Sequence, residues 1–521
     1  MKSLVALLRK SLVVSCGVSL ILLAFALVFP PSASAQSPEL AQGSVPEWAW
    51  MGGSNSVQFQ FDGQPGVYGT EFQFADSNTP GSRDGAIGWT DRQGRLWLFG
   101  GFGDDFSGAY QGWLNDLWVF DPSRGTHGQW AWMAGSDALP SPIRPCVPAV
   151  YGTEFQFDPS NTPGGRRSGV SWIDLSGRLW LFGGAGCDRT GLAFILNDLW
   201  VFDRSQGANG EWAWMGGDNA TGEDGAYGTE FQFSASNIPG AREGSAAWID
   251  WFGRVFLFGG AGIDSSGNVG ALNDLWTFDP SQGANGEWTW IGGASTIPIT
   301  ANGPSGVYGT EHEFAAANIP GGRSSAAIWT DLFGRFWLFG GGGIDSAGNV
   351  GDLNDLWVFN PYRGANGEWA WMGGSNTTDQ PGAYGTEFQF SAANIPGERE
   401  GGATWTDRSG KLWLFGGLSE FSDGINDQND VWIFDPLLGA HGEWAWMGGS
   451  NAPPGPDSGQ QGIYGTEFQF AASNAPGSRD SALTWADPKG RLWLLGGIGF
   501  SAPPSAGYLN DLWELRVPRV R

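Results

Sequence analysis

A four-part phrase returns six times along this chain, and it is out of phase with the chain's two ends. The phrase is an Arg-led apolar segment, a segment ending in Gly-Gly, an Asn-Asp-Leu-Trp segment and a Trp-x-Trp segment. Glu47 to Gly53 (EWAWMGG) is a Trp-x-Trp segment with nothing of the phrase before it, and the chain closes on LNDLWEL with no Trp-x-Trp after it. A period of this size means a propeller or a solenoid. A solenoid needs capping repeats at its ends, whereas an orphan strand at one end and a missing strand at the other complete each other. The phase shift therefore predicts a ring closed by its own termini.

Three independent markers agree on the count. Trp-x-Trp begins at Trp48, Trp130, Trp212, Trp288, Trp369 and Trp444, and Gly-Gly at Gly100, Gly183, Gly259, Gly340, Gly416 and Gly496. Asn-Asp begins at Asn115, Asn197, Asn273, Asn354, Asn429 and Asn510. Within a repeat, RLWLFGG, NDLWVFDP and GQWAWM are short aromatic and β-branched runs bounded by Gly, Asp, Asn and Pro, the signature of strands. Turns such as Asp91-Arg-Gln-Gly94 join the first two, with Asp to cap and Gly to accept positive φ. No segment after residue 35 carries a helical pattern. The expected fold is all-β: a six-bladed β-propeller with four antiparallel strands (a to d) per blade, spanning 47–517, after a linker (36–46) and before a short tail (518–521).

LWLFGG…LNDLWVFDP…WAW (Leu96 to Trp132), repeated to Leu515, resembles the kelch repeat. The resemblance implies a propeller, and it brings two enzymatic possibilities, a galactose-oxidase-like copper enzyme and a sialic-acid-epimerase-like one. A kelch repeat runs ~50 residues. These are longer by about 30, all placed between the Trp-x-Trp strand and the next Arg-led strand. The copper type uses His and Tyr ligands with a Tyr–Cys crosslink. This chain has only His127, His312 and His441, each a substitution within a repeated structural slot, so no copper site or other cofactor is expected. The epimerases' catalytic groups are not identifiable by motif. Asp264-Ser-Ser-Gly-Asn268 and Asp345-Ser-Ala-Gly-Asn349 alternate oxygen ligands as calcium loops do, but without the terminal acid, and a tight turn is the simpler reading.

The N-terminus reads as an export signal. Lys2, Arg9 and Lys10 precede an apolar run, and Ala33-Ser34-Ala35 offers a small-residue cleavage site; the run is also nearly long enough for an uncleaved anchor. The expected location is secreted, periplasmic or cell-surface. Removing residues 1–35 takes three basic groups from a net charge of −26, leaving −29. That much acid opposes nucleic acid and anionic membranes as partners. A protein or a glycan is the expected partner, and a monomer the expected state.

Loop lengths divide the two faces of the ring. The a–b and c–d loops keep their lengths, whereas the b–c loops and the d–a links vary, so binding is expected on the second face. The candidates are Asp104, Asp105, Phe106, Tyr110 and Trp113 in the first repeat, and Glu420, Phe421 and Asp423 in the fifth. Within the long links, Glu and Arg keep a separation of twelve: Glu71/Arg83, Glu154/Arg166, Glu230/Arg242, Glu311/Arg323, Glu387/Arg399 and Glu467/Arg479. Matched counts favour six structural ion pairs over an open ring of arginines awaiting an anion. Finally, Cys146 in the second link and Cys187 in the second b–c loop emerge on one face of one blade. Export makes a Cys146–Cys187 disulfide the expectation. No nucleophile triad or phosphate loop is present, and no metal ligand set stands out. The favoured function is a binding or structural module, with a carbohydrate-active enzyme as the alternative.

Overall fold

The computed structural model describes residues 45–57, 62–141, 145–421, 424–451, 459–502 and 506–517, with the side chains of 420–425 left aside. The proposed signal segment, most of the linker, the tail and Asp423 lie outside the described residues. Every described element is a strand, and the strands form six antiparallel sheets. In blade 1, strand a is Ile87–Thr90, b is Leu96–Asp104, c is Gln111–Asp121 and d is Gln129–Ala134. The blades repeat this plan down to the turns: Asp91 Oδ1 accepts the N–H groups of Gln93 and Arg95, and Oδ2 those of Arg95 Nε and Trp97 Nε1.

The ring closes as the phase shift requires. Glu47–Gly52 pairs antiparallel with Ala506–Arg516, with Trp48 opposite Leu515 and Trp50 opposite Trp513. The orphan strand is therefore strand d of blade 6.

Alternating residues along strands a to d send their apolar side chains into the gaps between blades, because each sheet buries both faces. Trp89, Trp97 and Phe99 of blade 1 pack with Leu179, Leu181 and Trp200 of blade 2, and Trp89 Nε1 donates to the carbonyl of Trp180. The core is thus six inter-blade layers rather than one central cluster. Gly-Gly permits the close approach. At Gly100 (φ 64°) a Cβ would lie 2.6 Å from the carbonyl oxygen of Arg166 in the next blade.

The link residues form a feature that four-stranded blades alone do not predict. Each long insert is a hairpin lying against the outer edge of strand d. Phe72 N–H donates to Trp132 O and Ala75 N–H to Trp130 O, while Val67 and Thr79 bond each other both ways. Asn78 Nδ2 fastens the hairpin to Trp130 O. The insert covers an edge strand that would otherwise present unpaired backbone to water and to other chains.

The expected Glu–Arg ion pairs do not form. Arg83 instead forks onto Asp116, the Asp of Asn-Asp, at 2.7 and 2.8 Å, and donates further to Gly81 O and Gly100 O. Tyr68 Oη and Trp118 Nε1 donate to the same carboxylate. Arg166–Asp198, Arg242–Asp274, Arg323–Asp355, Arg399–Asp430 and Arg479–Asp511 repeat the pair, every partner at most 1% exposed. The reason is local. A turn with Thr70 O accepting Gln73 N–H throws Glu71 outward, whereas Arg83 lies on a two-residue strand that aims it beneath Gly-Gly. Glu71 and Glu154 are half-buried, and Glu230, Glu311, Glu387 and Glu467 are exposed. The arginine ring open to an anion is equally absent, since all six guanidinium groups are buried and paired.

Candidate functional site at the channel mouth

Strand a is preceded by a short strand, Arg83–Asp84 in blade 1, that pairs with the far end of strand b: Asp84 lies opposite Phe102. The following residue carries positive φ in every blade, alternately Gly and Ser: Gly85, Ser168, Gly244, Ser325, Gly401 and Ser481. These six residues link in a closed circuit. Ser168 N–H donates to Gly85 O, Gly244 to Ser168, Ser325 to Gly244, Gly401 to Ser325, Ser481 to Gly401 and Gly85 to Ser481, at 2.8 to 3.0 Å. A backbone hydrogen-bond girdle thus narrows the central channel. The residues immediately outside it, on the variable-loop face, form a mouth.

Around this mouth the sixfold likeness breaks. The position before the girdle residue is Asp84, Arg167, Glu243, Ser324, Glu400 and Asp480, although the preceding residue is Arg every time. The strand-c position opposite Phe102 and its counterparts is Trp113, Ile195, Ala271, Asp352, Asp427 and Tyr508, although Asn-Asp follows two residues later each time. Strand c of one blade faces the short strand of the next. Asp427 shares a hydrogen bond with Asp480, and Glu400 and Asp352 flank Gly342 together. The mouth therefore has an acidic side where blades 4, 5 and 6 meet and an aromatic side where blades 6, 1 and 2 meet. On the aromatic side, Phe102 lies 5.7 Å from Tyr508 and 5.1 Å from Trp113. Arg167 sits over Phe102 and binds Asp84 at 3.1 Å.

Burial tunes the acids. Burial pushes both Asp427 and Asp480 up, and the Asp427 charge raises Asp480 further while the hydrogen bond from Asp480 favours ionised Asp427, so the pair holds a proton on Asp480 well above the usual carboxylate range. Beneath Asp352, Glu398 is fully buried with neither carboxyl oxygen partnered. Burial, with Asp352 and Asp379 adding to it, pushes Glu398 up to about 8. Burial likewise raises Asp104 to about 6 and Tyr508 to about 12. Carboxyl groups that keep protons near neutrality beside aromatic rings can exchange protons with a ligand or bind a cation on losing them.

The sequence candidates are distributed unevenly over this site. Trp113 reaches the mouth, Asp104 lies buried behind it, and Phe106 stands 52% exposed on the loop tip. Asp105 is buried and builds its own loop, accepting from the N–H groups of Ser107, Gly108 and Leu139. Tyr110 Oη reaches toward Leu139 O. Glu420 and Phe421 extend strand b of blade 5, opposite Ile425 and Gly424. The mouth acids other than Asp104 escaped sequence reading because no motif marks them. Their signal was variation at one position of otherwise identical repeats.

Cys146 and Cys187 form a disulfide, with Cα atoms 6.2 Å apart. Cys187 is the last residue of strand b in blade 2 rather than a loop residue, and the bridge ties the variable link to that strand beside the mouth. The two calcium-like loops are turns. Asp264 spends its carboxylate on the N–H groups of Ser266, Asn268 and Ile297 and the amide of Asn268. Asp345 does the same for Ala347 and Asn349.

No protein-family model and no curated protein sequence matches the chain. Among solved structures it is similar to one titled "Structure of YjhT", at 16% identity and a TM-score of 0.44, covering 83% of this chain and 95% of that one. It is also similar to a fungal alcohol oxidase of the AA5 family in complex with copper, at 14% identity and a TM-score of 0.40. That likeness covers 85% of this chain and 63% of the oxidase.

Proposed function

We propose that this protein is an exported kelch-type propeller whose channel mouth recognises a positively charged group carried by a glycan or a protein. One observation carries the reading. Two mouth positions in each blade vary around the ring, while the Arg before the first and the Asn-Asp two residues beyond the second are repeated six times. The repeated Arg and Asn-Asp satisfy the fold, so the divergence between them is free to serve a ligand. Carboxylates outnumber the single guanidinium there, and aromatic faces beside them suit a cation. The Cys146–Cys187 bridge fits an oxidising compartment. An array of amino-sugar oligosaccharides and basic peptides tests the reading. Wild-type protein binds members of it, and Asp84→Asn with Asp427→Asn weakens binding at least tenfold. Undiminished binding by that double variant contradicts the proposal.

The proton-sharing Asp427–Asp480 pair favours a second reading, a carbohydrate-active enzyme that uses the pair as acid and base. Turnover of a glycoside panel that Asp480→Asn abolishes supports it. Turnover that survives Asp480→Asn rules the pair out.

A further inference from the structure

The glutamates that leave their arginines point to a second kind of site on the outer rim. Each lies beside an aromatic held at positive φ: Phe72, Phe155, Phe231, His312, Phe388 and Phe468, all between 63° and 67°. A bulky side chain in the left-handed region is uncommon and strained, and a glycine would relieve it, yet all six repeats keep a ring there. Between blades 1 and 2, Glu71 and Phe72 line a groove of about 650 Å³ that Asn209 of the next blade borders. The corresponding groove between blades 4 and 5 measures about 480 Å³ and contains Glu311.

What the ring position accepts is visible at two interfaces. His127 of blade 1 lies flat on Phe468 of blade 6, with centroids 3.7 Å apart and planes 8° apart. His441 of blade 5 lies flat on His312 of blade 4, at 3.7 Å and 4°. Where the neighbouring loop carries His, the ring face is covered. Where it carries Asn209, Asn285 or Asn366, Phe72, Phe155 and Phe231 stand 38%, 43% and 44% exposed. These three faces are therefore open seats for a flat, ring-sized group, each preceded in the chain by a glutamate, and at Phe72 that glutamate lines the same groove.

We propose that the groove at Phe72 and the exposed ring faces of Phe155 and Phe231 each bind one pyranose of a neutral, β-linked gluco-configured oligosaccharide. Such a ring presents an apolar C–H face for the phenyl group, and its equatorial hydroxyls point outward to donate to Glu71, Glu154 or Glu230. The acidic surface disfavours anionic sugars. The histidine at the other two interfaces occupies the seat in the ligand's place.

Calorimetric titration of the full chain with cellohexaose and chitohexaose tests this. At least one of the two should bind with a stoichiometry of three. The Phe72→Ala/Phe155→Ala/Phe231→Ala variant should bind at least tenfold more weakly at an unchanged melting temperature. His127→Asn, which installs the residue three other blades carry, should uncover Phe468 and raise the stoichiometry to four. The proposal is overturned if neither oligomer binds, if the triple variant binds as wild type does, or if His127→Asn leaves three sites. Asp480→Asn at the mouth should not alter this binding, which separates its failure from that of the mouth reading.

Discussion

Asp116 accepts from Arg83, Tyr68 and Trp118 at once, so its charge is the hub of a network with almost no exposure. Removing one partner of such a pair strands the other charge in a low-dielectric interior. Asp116→Asn is therefore expected to cost about 3–5 kcal/mol in a denaturant titration, and Arg83→Met with Asp116→Leu together much less. The Arg and the Asn-Asp were both legible as sixfold positions. Pairing Arg with Glu failed because equal spacing in sequence says nothing about which side of a turn a residue leaves from. Glu398 carries the opposite kind of lesson, a buried acid with no partner. Its folded pKa of about 8 exceeds its unfolded value, so the folded state holds a proton that the unfolded chain has released. Stability accordingly falls as pH rises from the unfolded value toward 8 and then levels. Glu398→Gln should remove that fall, raising the melting temperature at pH 9 but not at pH 4, as scanning calorimetry at the two pH values would show.

At the scale of elements, strands b, c and d were readable because their apolar patterns are bounded by turn residues. Strand a was less so. A residue at positive φ separates it from the short strand before it, and half of those residues are Ser, which gives no sequence warning. The insert hairpins were invisible as structure because Tyr-Gly-Thr-Glu-Phe has no strand alternation; it is held by Asn78-type side chains and by the edge of strand d. The disulfide was readable from loop faces and export alone. It joins residues 41 apart, a loop worth ~4 kcal/mol on the chain-entropy model. Reduction, or Cys146→Ser with Cys187→Ser, should lower the melting temperature by several degrees, and a non-reducing peptide map should recover the two cysteines linked.

Over the whole molecule, the phase shift of the repeats specifies closure. Trp48 packs against Trp405, Phe415 and Trp513, so the first described strand is also part of the layer between blades 5 and 6. Deleting residues 36–53 should lower the melting temperature of the entire ring in one transition rather than loosen one end, because each blade is stable only against two neighbours. The same repetition separates fold from function. Sixfold positions build the ring, and the mouth departs from them at the expense of buried, proton-holding acids. Groups selected for a site commonly cost stability. Thermal unfolding of Asp427→Asn and Asp480→Asn, set beside Asp116→Asn, tests that division most directly. The account predicts that the two mouth variants melt at or above the wild-type temperature while Asp116→Asn melts well below it. Mouth variants that melt as far below wild type as Asp116→Asn would show that these acids hold the ring together, and would contradict a functional mouth.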